Sequence, residues 1–92
     1  MIVRIATESQ YRVPDDAATR LNELDNAAVA AVDADDENAF HVTFEQMLEL
    51  VRREGEPLDG DELAESDVIL PPPDLTFVEA ATEFTGEGLL PD

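Results

Sequence analysis

DDAATRLNELDNAAVAAVDADDENAFHVTFEQMLELVRREG, residues 15–55, decides the fold, because two helical phases can be read in it on either side of one acidic turn. In the first half Ala17, Leu21, Leu24, Ala28, Ala31 and Val32 recur at steps of three and four, which places them in one stripe of a 3.6-residue helix. Pro14 precedes it, Asp15 suits the N-cap, and Asp16 falls in the first turn, where the positive helix end favours a carboxylate. The second half repeats the pattern with Phe40, Phe44, Met47, Leu48 and Val51. It carries Arg52 and Arg53 in its last turn and stops at Gly55, read here as a left-handed residue just past the helix. Asp33-Ala34-Asp35-Asp36 between them is short enough to force antiparallel neighbours. Ala27, Ala28, Ala30 and Ala31 are small enough to let the two axes approach, with the phenylalanines filling the space that remains.

On the N-terminal side, residues 2–13 alternate as a β-hairpin. Val3, Ile5, Tyr11 and Val13 share one face, and Arg4, Gln10 and Arg12 take the other. Pairing Val3 with Val13 and Ile5 with Tyr11 leaves Thr7-Glu8-Ser9 as a three-residue loop, whose last residue, Ser9, would have to be left-handed. This predicts either mild strain or a different loop. A two-stranded hairpin is not stable alone, so its apolar face should lie on the helical pair.

On the C-terminal side, Glu56 to Asp61 reads as a loop from its turn residues, and Glu62–Ser66 has room for one helical turn. Asp67-Val68-Ile69-Leu70 is an extended apolar run and a candidate third strand, stopped by Pro71-Pro72-Pro73, which favour polyproline II geometry. Thr76-Phe77-Val78-Glu79 matches the capping box. A short helix is expected from about Phe77 to Phe84, with Phe77, Ala81 and Phe84 inward and Gly86 and Gly88 ending it. The architecture expected is one α+β domain over residues 1–92: a β-hairpin packed on a long antiparallel helical hairpin, with a short extended segment and a short C-terminal helix.

Ninety-two residues bury roughly 60–70% of the unfolded surface, so the core is modest. There are no cysteines and one histidine, His41, which removes disulfides, thiolate sites and histidine clusters for zinc. The N-terminus lacks the charged and long apolar regions of a signal peptide, and no apolar run approaches membrane-spanning length. The expected location is therefore the cytoplasm, with any membrane role reached through a partner. Charge dominates the composition: 23 Asp and Glu stand against five Arg and no Lys, for a net −18. Disorder does not follow, because 43% of residues are hydrophobic and fall in periodic positions. A dedicated basic partner is disfavoured because the acids are spread along the chain and not gathered in a tail, and the absence of Lys points instead to a surface adapted to a salt-rich cytoplasm, where a Debye length of about 3 Å makes self-repulsion tolerable. The same charge opposes direct contact with nucleic acid or anionic lipid.

Few residues stand in patterns that carry chemistry. Asp33, Asp35 and Glu37 start like a calcium loop, but Asn38 stands where glycine is needed and Phe44 where a bidentate glutamate is needed. Gly86-Glu87-Gly88 lacks the third glycine of a dinucleotide fingerprint. His41, about 100° around its helix from Phe40, sits at the margin of the buried stripe. The triple proline reads as a rigid connector before it reads as a ligand for an aromatic groove. Asp25 breaks its pattern, projecting from the apolar side of the first helix between Leu21 and Val32. Either it has a structural partner, such as Arg4, Arg12, Arg52 or the Tyr11 hydroxyl, or it contacts another protein. No catalytic, cofactor-binding or metal-binding residues emerge, and a non-enzymatic protein is expected.

Taken end to end, the chain resembles the PspAA family, the domain associated with phage shock protein A, and looks like a haloarchaeal-type member. The matching residues are Met1-Ile2-Val3-Arg4-Ile5 with Glu8, Gln10-Tyr11 and Val13; Leu21-Asn22, Leu24-Asp25 and Phe40; Leu50-Val51-Arg52; Gly55 with Pro57-Leu58; Asp61-Glu62-Leu63, Ser66-Asp67, Ile69-Leu70-Pro71-Pro72 and Asp74; and Glu87-Gly88-Leu89 with Pro91. The family has glycine at the hairpin position held here by Ser9. The resemblance implies an adaptor or regulator working beside the coiled-coil, membrane-remodelling phage shock protein A in envelope stress, with no catalytic residues to carry over. From a different class, the acidity alone supports an antitoxin-like or DNA-mimicking regulator. A neighbouring gene for a charged coiled coil favours the first, and one for a small basic nuclease the second. The candidate protein-interface residues are Asp25 and the apolar positions left over once the core is built, Val42, Leu89 and Leu90.

Overall fold

The computed structural model describes residues 1–58 and 65–84. Four strands and three helices follow in the order β1 (Ile2–Ile5), β2 (Gln10–Arg12), α1 (Asp15–Asp33), α2 (Glu37–Glu54), β3 (Glu56–Pro57), β4 (Val68–Leu70) and α3 (Phe77–Glu83). The strands form one sheet in the order β3-β2-β1-β4, with β1 central. β2 is antiparallel to both β1 and β3, and β4 runs parallel to β1. The expected α+β architecture is the one observed, and the sheet is larger than the hairpin and candidate third strand foresaw.

The hairpin register differs from the expected one by two residues. Val3 pairs with Tyr11 and Arg4 with Gln10, and Met1 and Val13 extend the ladder through an N–H···O bond of 2.8 Å. A shift of two leaves every side chain on its original face, so Val3, Ile5 and Val13 are buried as the alternation requires. The Glu8 N–H donates to the Ile5 carbonyl at 2.8 Å, and the left-handed residue of this tight turn is Thr7, at φ 68°, not Ser9. For a β-branched side chain that conformation is strained.

α1 opens one residue differently from the expectation: Pro14, extended at φ −68° and ψ 161°, holds the N-cap position without a side-chain bond, and Asp15 is the first helical residue. Proline's fixed φ suits that geometry, and Asp15 and Asp16 still face the positive helix end. The acidic turn has structural work for its carboxylates. Asp35 adopts φ 57°, and Asp36 caps α2 by accepting from the Ala39 N–H at 3.1 Å. Ala17, Leu21, Ala28 and Ala31 of α1 and Phe40, Phe44, Met47, Leu48 and Val51 of α2 are buried, together with Val29 and Leu50, which the stripes did not include. Leu24 is only half buried, because it lies at the lip of a groove between the helices.

Gly55 corrects a second expectation. Its backbone is extended, at φ −81° and ψ 149°, so handedness does not require glycine. Space does: a Cβ there would lie 2.9 Å from Cβ of Tyr11 and closer still to the Val51 carbonyl. This tight passage turns the chain alongside β2, so Glu56–Pro57, expected as loop, forms edge strand β3, and Leu58 N–H donates to the Gln10 carbonyl at 3.0 Å.

After β4 the prolines do not run on as a continuous extended rod. Leu75 N–H donates to the Pro72 carbonyl at 3.0 Å, closing a turn around Pro73-Asp74. Thr76 then caps α3 with both reciprocal bonds of the capping box. The core residue of α3 is Ala80 and not Ala81, since docking through Phe84 selects the 80/84 row. All four phenylalanines of the chain meet here. Phe40 stacks on Phe44 at 5.6 Å and meets Phe77 and Phe84 edge-on at 5.9 and 5.2 Å. The expected helical turn at 62–66 falls mostly outside the described residues, and the helix stop at Gly86 and Gly88 wholly so.

Candidate interaction surfaces

The helices cover one face of the sheet, and the described residues form three further surfaces. The first is the outer side of the helical hairpin, where a groove of about 510 Å³ is lined by Leu24 and Leu50 together with Arg20, Glu23, Glu49 and Arg53. Its cations are already engaged. Arg20 reaches Glu54 across the helix pair at 3.5 Å, and Arg53 lies 3.7 Å from Glu49 and 3.8 Å from Glu54. Exposed pairs of this kind contribute about 0–1 kcal/mol each, so they set the charge pattern more than the stability.

The second surface lies where the hairpin tip meets the end of α2. Arg52 forks onto Glu8, with Nε donating to Oε1 at 3.2 Å and Nη2 to Oε2 at 2.5 Å. The hydrogen bonds to Glu8 raise the guanidinium above its usual pKa, with the nearby Tyr11 and Glu8 charges acting the same way against partial desolvation. Its position in the last turn of α2 also suits the negative helix end. The fork ties the β1–β2 turn to the helical layer.

The third is the outer face of the sheet, where Ile2, Arg4, Gln10, Arg12 and Ile69 alternate with the buried strand residues. Ile2 is half buried, Arg4 and Arg12 are exposed, and Ile69 is 60% exposed. Gln10 Nε2 donates to Ser66 Oγ at 2.7 Å, and Asp67 accepts from the Ile2 N–H at 2.8 Å. Arg12 stands opposite Glu56 in register.

The residues singled out from the sequence are dispersed by the fold. Asp25 has no solvent exposure, and no buried side-chain nitrogen or oxygen among the described residues lacks a hydrogen-bond partner. That is the environment a structural role requires. Val42 is 57% exposed on α2, and Leu89 and Leu90 lie outside the described residues. His41 is partly exposed, 3.8 Å from Glu37 and edge-on to Phe40 at 5.5 Å. No cluster of three histidines or carboxylates among the described residues is arranged to hold a metal ion, and no described helix is long and apolar enough to cross a membrane. The sequence reading missed Ile69 as an exposed residue and Arg4 as its neighbour. Strand alternation could have found the first once Val68 and Leu70 were read as inward.

The described residues thus define a two-layer α+β domain whose polar chemistry is distributed over its surfaces. The sequence model of the PspA-Associated protein family, PspAA, matches residues 1–92, and the chain belongs to that family. Neither a curated protein nor a solved structure matches the chain significantly.

Proposed function

We propose that this protein is a non-enzymatic adaptor or regulator that acts with a PspA-type coiled-coil protein in the maintenance of a stressed membrane, in a salt-rich cytoplasm. The single observation that carries this reading is the family match over residues 1–92. The net charge of −18 supports an indirect membrane role, because an anionic bilayer would repel the protein unless another protein intervened. Screening in molar salt removes long-range steering, so the contact with the coiled coil is chiefly apolar. Val42, with Leu89 and Leu90, supplies the apolar candidates read from the sequence. The alternative of an antitoxin-like or DNA-mimicking regulator rests on acidity alone. It predicts capture of a small basic protein instead.

The test is affinity capture from the cells of origin at native salt, followed by sedimentation of the purified chain with the PspA-family protein encoded in the same genome. Co-sedimentation at molar salt is the expected result. Absence of association at every salt concentration would falsify the adaptor reading.

A further inference from the structure

We propose that the groove between α1 and α2, on the outer side of the helical hairpin, docks a second copy of this chain through a two-fold contact in which Arg20 faces the second copy's Glu23 and Arg53 faces the second copy's Glu49. The dimer neither requires nor excludes the adaptor role.

Charge is the first support. Two copies of a chain with net charge −18 repel at almost any surface they present to each other. This groove departs from that pattern. Two of the five arginines, Arg20 and Arg53, line it together with two acids, Glu23 and Glu49, so its described lining carries no formal net charge. The rim is open to solvent, with the Glu49 side chain 71% and the Arg53 side chain 61% exposed. Pairing within one copy does not commit the arginines. Arg20 lies 3.5 Å from Glu54, and Arg53 lies 3.7 Å from Glu49 and 3.8 Å from Glu54, distances at the long end for an ion pair, and exposed pairs of that kind re-form elsewhere at little cost.

The order of the charges selects the occupant. A basic or an acidic partner would meet like charge on half of this rim, whereas a second copy brings the same pattern reversed. Arg20 and Glu23 are three residues apart on α1, about 4.5 Å along its axis, and Glu49 and Arg53 are four apart on α2, about 6 Å. Because Arg20 reaches Glu54, the two helices stand level there, and at about 1.5 Å per residue the midpoints of the two charged pairs coincide to within about 3 Å along the hairpin. One two-fold axis running across both helices at that level lays α1 against the second copy's α1 and α2 against its α2, each antiparallel, and sets every arginine of the rim over a glutamate. An axis along the groove would instead lay α1 on α2 and stack Arg20 over Arg53, which like charges oppose. Leu24 and Leu50 lie within one turn of the crossing, so the leucines of both copies close the centre and exclude water from the pairs around them. Since α2 ends at Glu54, the overlap is short and the association is weak and reversible.

The test is sedimentation equilibrium of the full chain in molar KCl, where long-range repulsion is screened, from about 10 μM to about 1 mM. A monomer–dimer equilibrium is the expected result. Arg20→Glu combined with Arg53→Glu should weaken it by about tenfold or more, and so should Glu23→Arg combined with Glu49→Arg, although the second pair lowers the net negative charge and would strengthen a non-specific association. Mixing the two double variants in equal amounts should restore a dimer to within about threefold of the wild type, because each copy then supplies the charges that the other lacks. Circular dichroism checks that each variant is folded, and Val42→Glu, away from the groove, should leave the equilibrium unchanged. A wild type that is monomeric at the highest concentration, whether its groove takes residues 85–92 of the same chain, a different protein or nothing, overturns the proposal. So does a dimer that both double variants leave undiminished, and so do double variants that stay monomeric when mixed.

Discussion

Replacing Phe84 with alanine removes the side chain that pins α3 to the helical pair. Seven residues cannot sustain a helix in water, so α3 exists by docking through Phe84 and Ala80, both fully buried, and the half-buried Phe77. The transfer and cavity contributions together amount to about 3–5 kcal/mol. Within that loss, the edge-on contacts of Phe84 with Phe40 at 5.2 Å and with Phe44 at 6.0 Å contribute about 0.5–1.5 kcal/mol each. A domain of 92 residues has roughly 5–14 kcal/mol in all, so the variant should retain a small margin or none. Urea unfolding followed by far-UV circular dichroism in molar KCl is the suitable assay, because guanidinium chloride would alter the screening of 18 net charges as it denatured. Phe84→Leu, which keeps an apolar side chain, should cost no more than about 1.5 kcal/mol. A cycle of Phe40→Leu with Phe84→Leu should show coupling of about 0.5–1.5 kcal/mol. If Phe84→Ala stays within about 0.5 kcal/mol of the wild type, the size of a neutral surface change, the phenylalanine cluster is not what holds α3.

Asp25→Ala should leave a buried hydrogen-bonding partner unsatisfied and destabilise by about 1–3 kcal/mol in the same assay; unchanged stability with lost partner capture would transfer Asp25 to the interface. Melting temperature should fall as KCl is withdrawn from molar to about 0.01 M, where screening reaches only over about 30 Å, and a flat series would show that self-repulsion is unimportant. Thr7→Gly should stabilise by up to about 1 kcal/mol, since glycine adopts φ 68° without strain; a loss would mean the threonine side chain has an undetected role. The Thr76 backbone and side-chain hydrogen bonds hold the Glu79 carboxyl below its usual pKa. Its contribution to the α3 cap is therefore complete above the ordinary glutamate range and lost as pH falls through the lowered value. Amide shifts of Thr76 and Glu79 should follow that titration and go flat in Glu79→Gln, which keeps an acceptor oxygen; identical titration in the variant would assign it elsewhere.

The helices were legible because their apolar spacing and the Thr76–Glu79 box are local patterns, and local patterns survive into the fold. What escaped depends on long-range placement. Alternation in residues 2–13 assigns faces but is blind to a two-residue register shift, which leaves the faces unchanged. β3 has two residues, one of them proline, and exists only because Gly55 delivers the chain to β2. Gly55 is legible as a helix stop but the reason for it is not, since a glycine in sequence suggests backbone handedness while crowding by Tyr11 appears only in the fold. Ala80 and Ala81 are chemically identical, and only the row leading to Phe84 separates them. Within the core, Asp25 is legible as a charge in an apolar stripe.

The parallel pairing of β1 with β4 also sets the order in which this chain can acquire its structure. The β1–β2 turn and the α1–α2 hairpin join near neighbours in sequence, and their closure is entropically easy. Val3 must wait for Val68, and Ile5 for Leu70, so the first strand to be synthesised is the last to be flanked on both sides. During that interval the open edge of β1 is a template for any extended chain. The acidic composition then acts kinetically: nascent copies that each carry a large excess of negative charge repel one another while the N-terminal strand is still half-paired. Fast mixing from urea should resolve an early phase that forms the helices and a later one that protects the amides of β1.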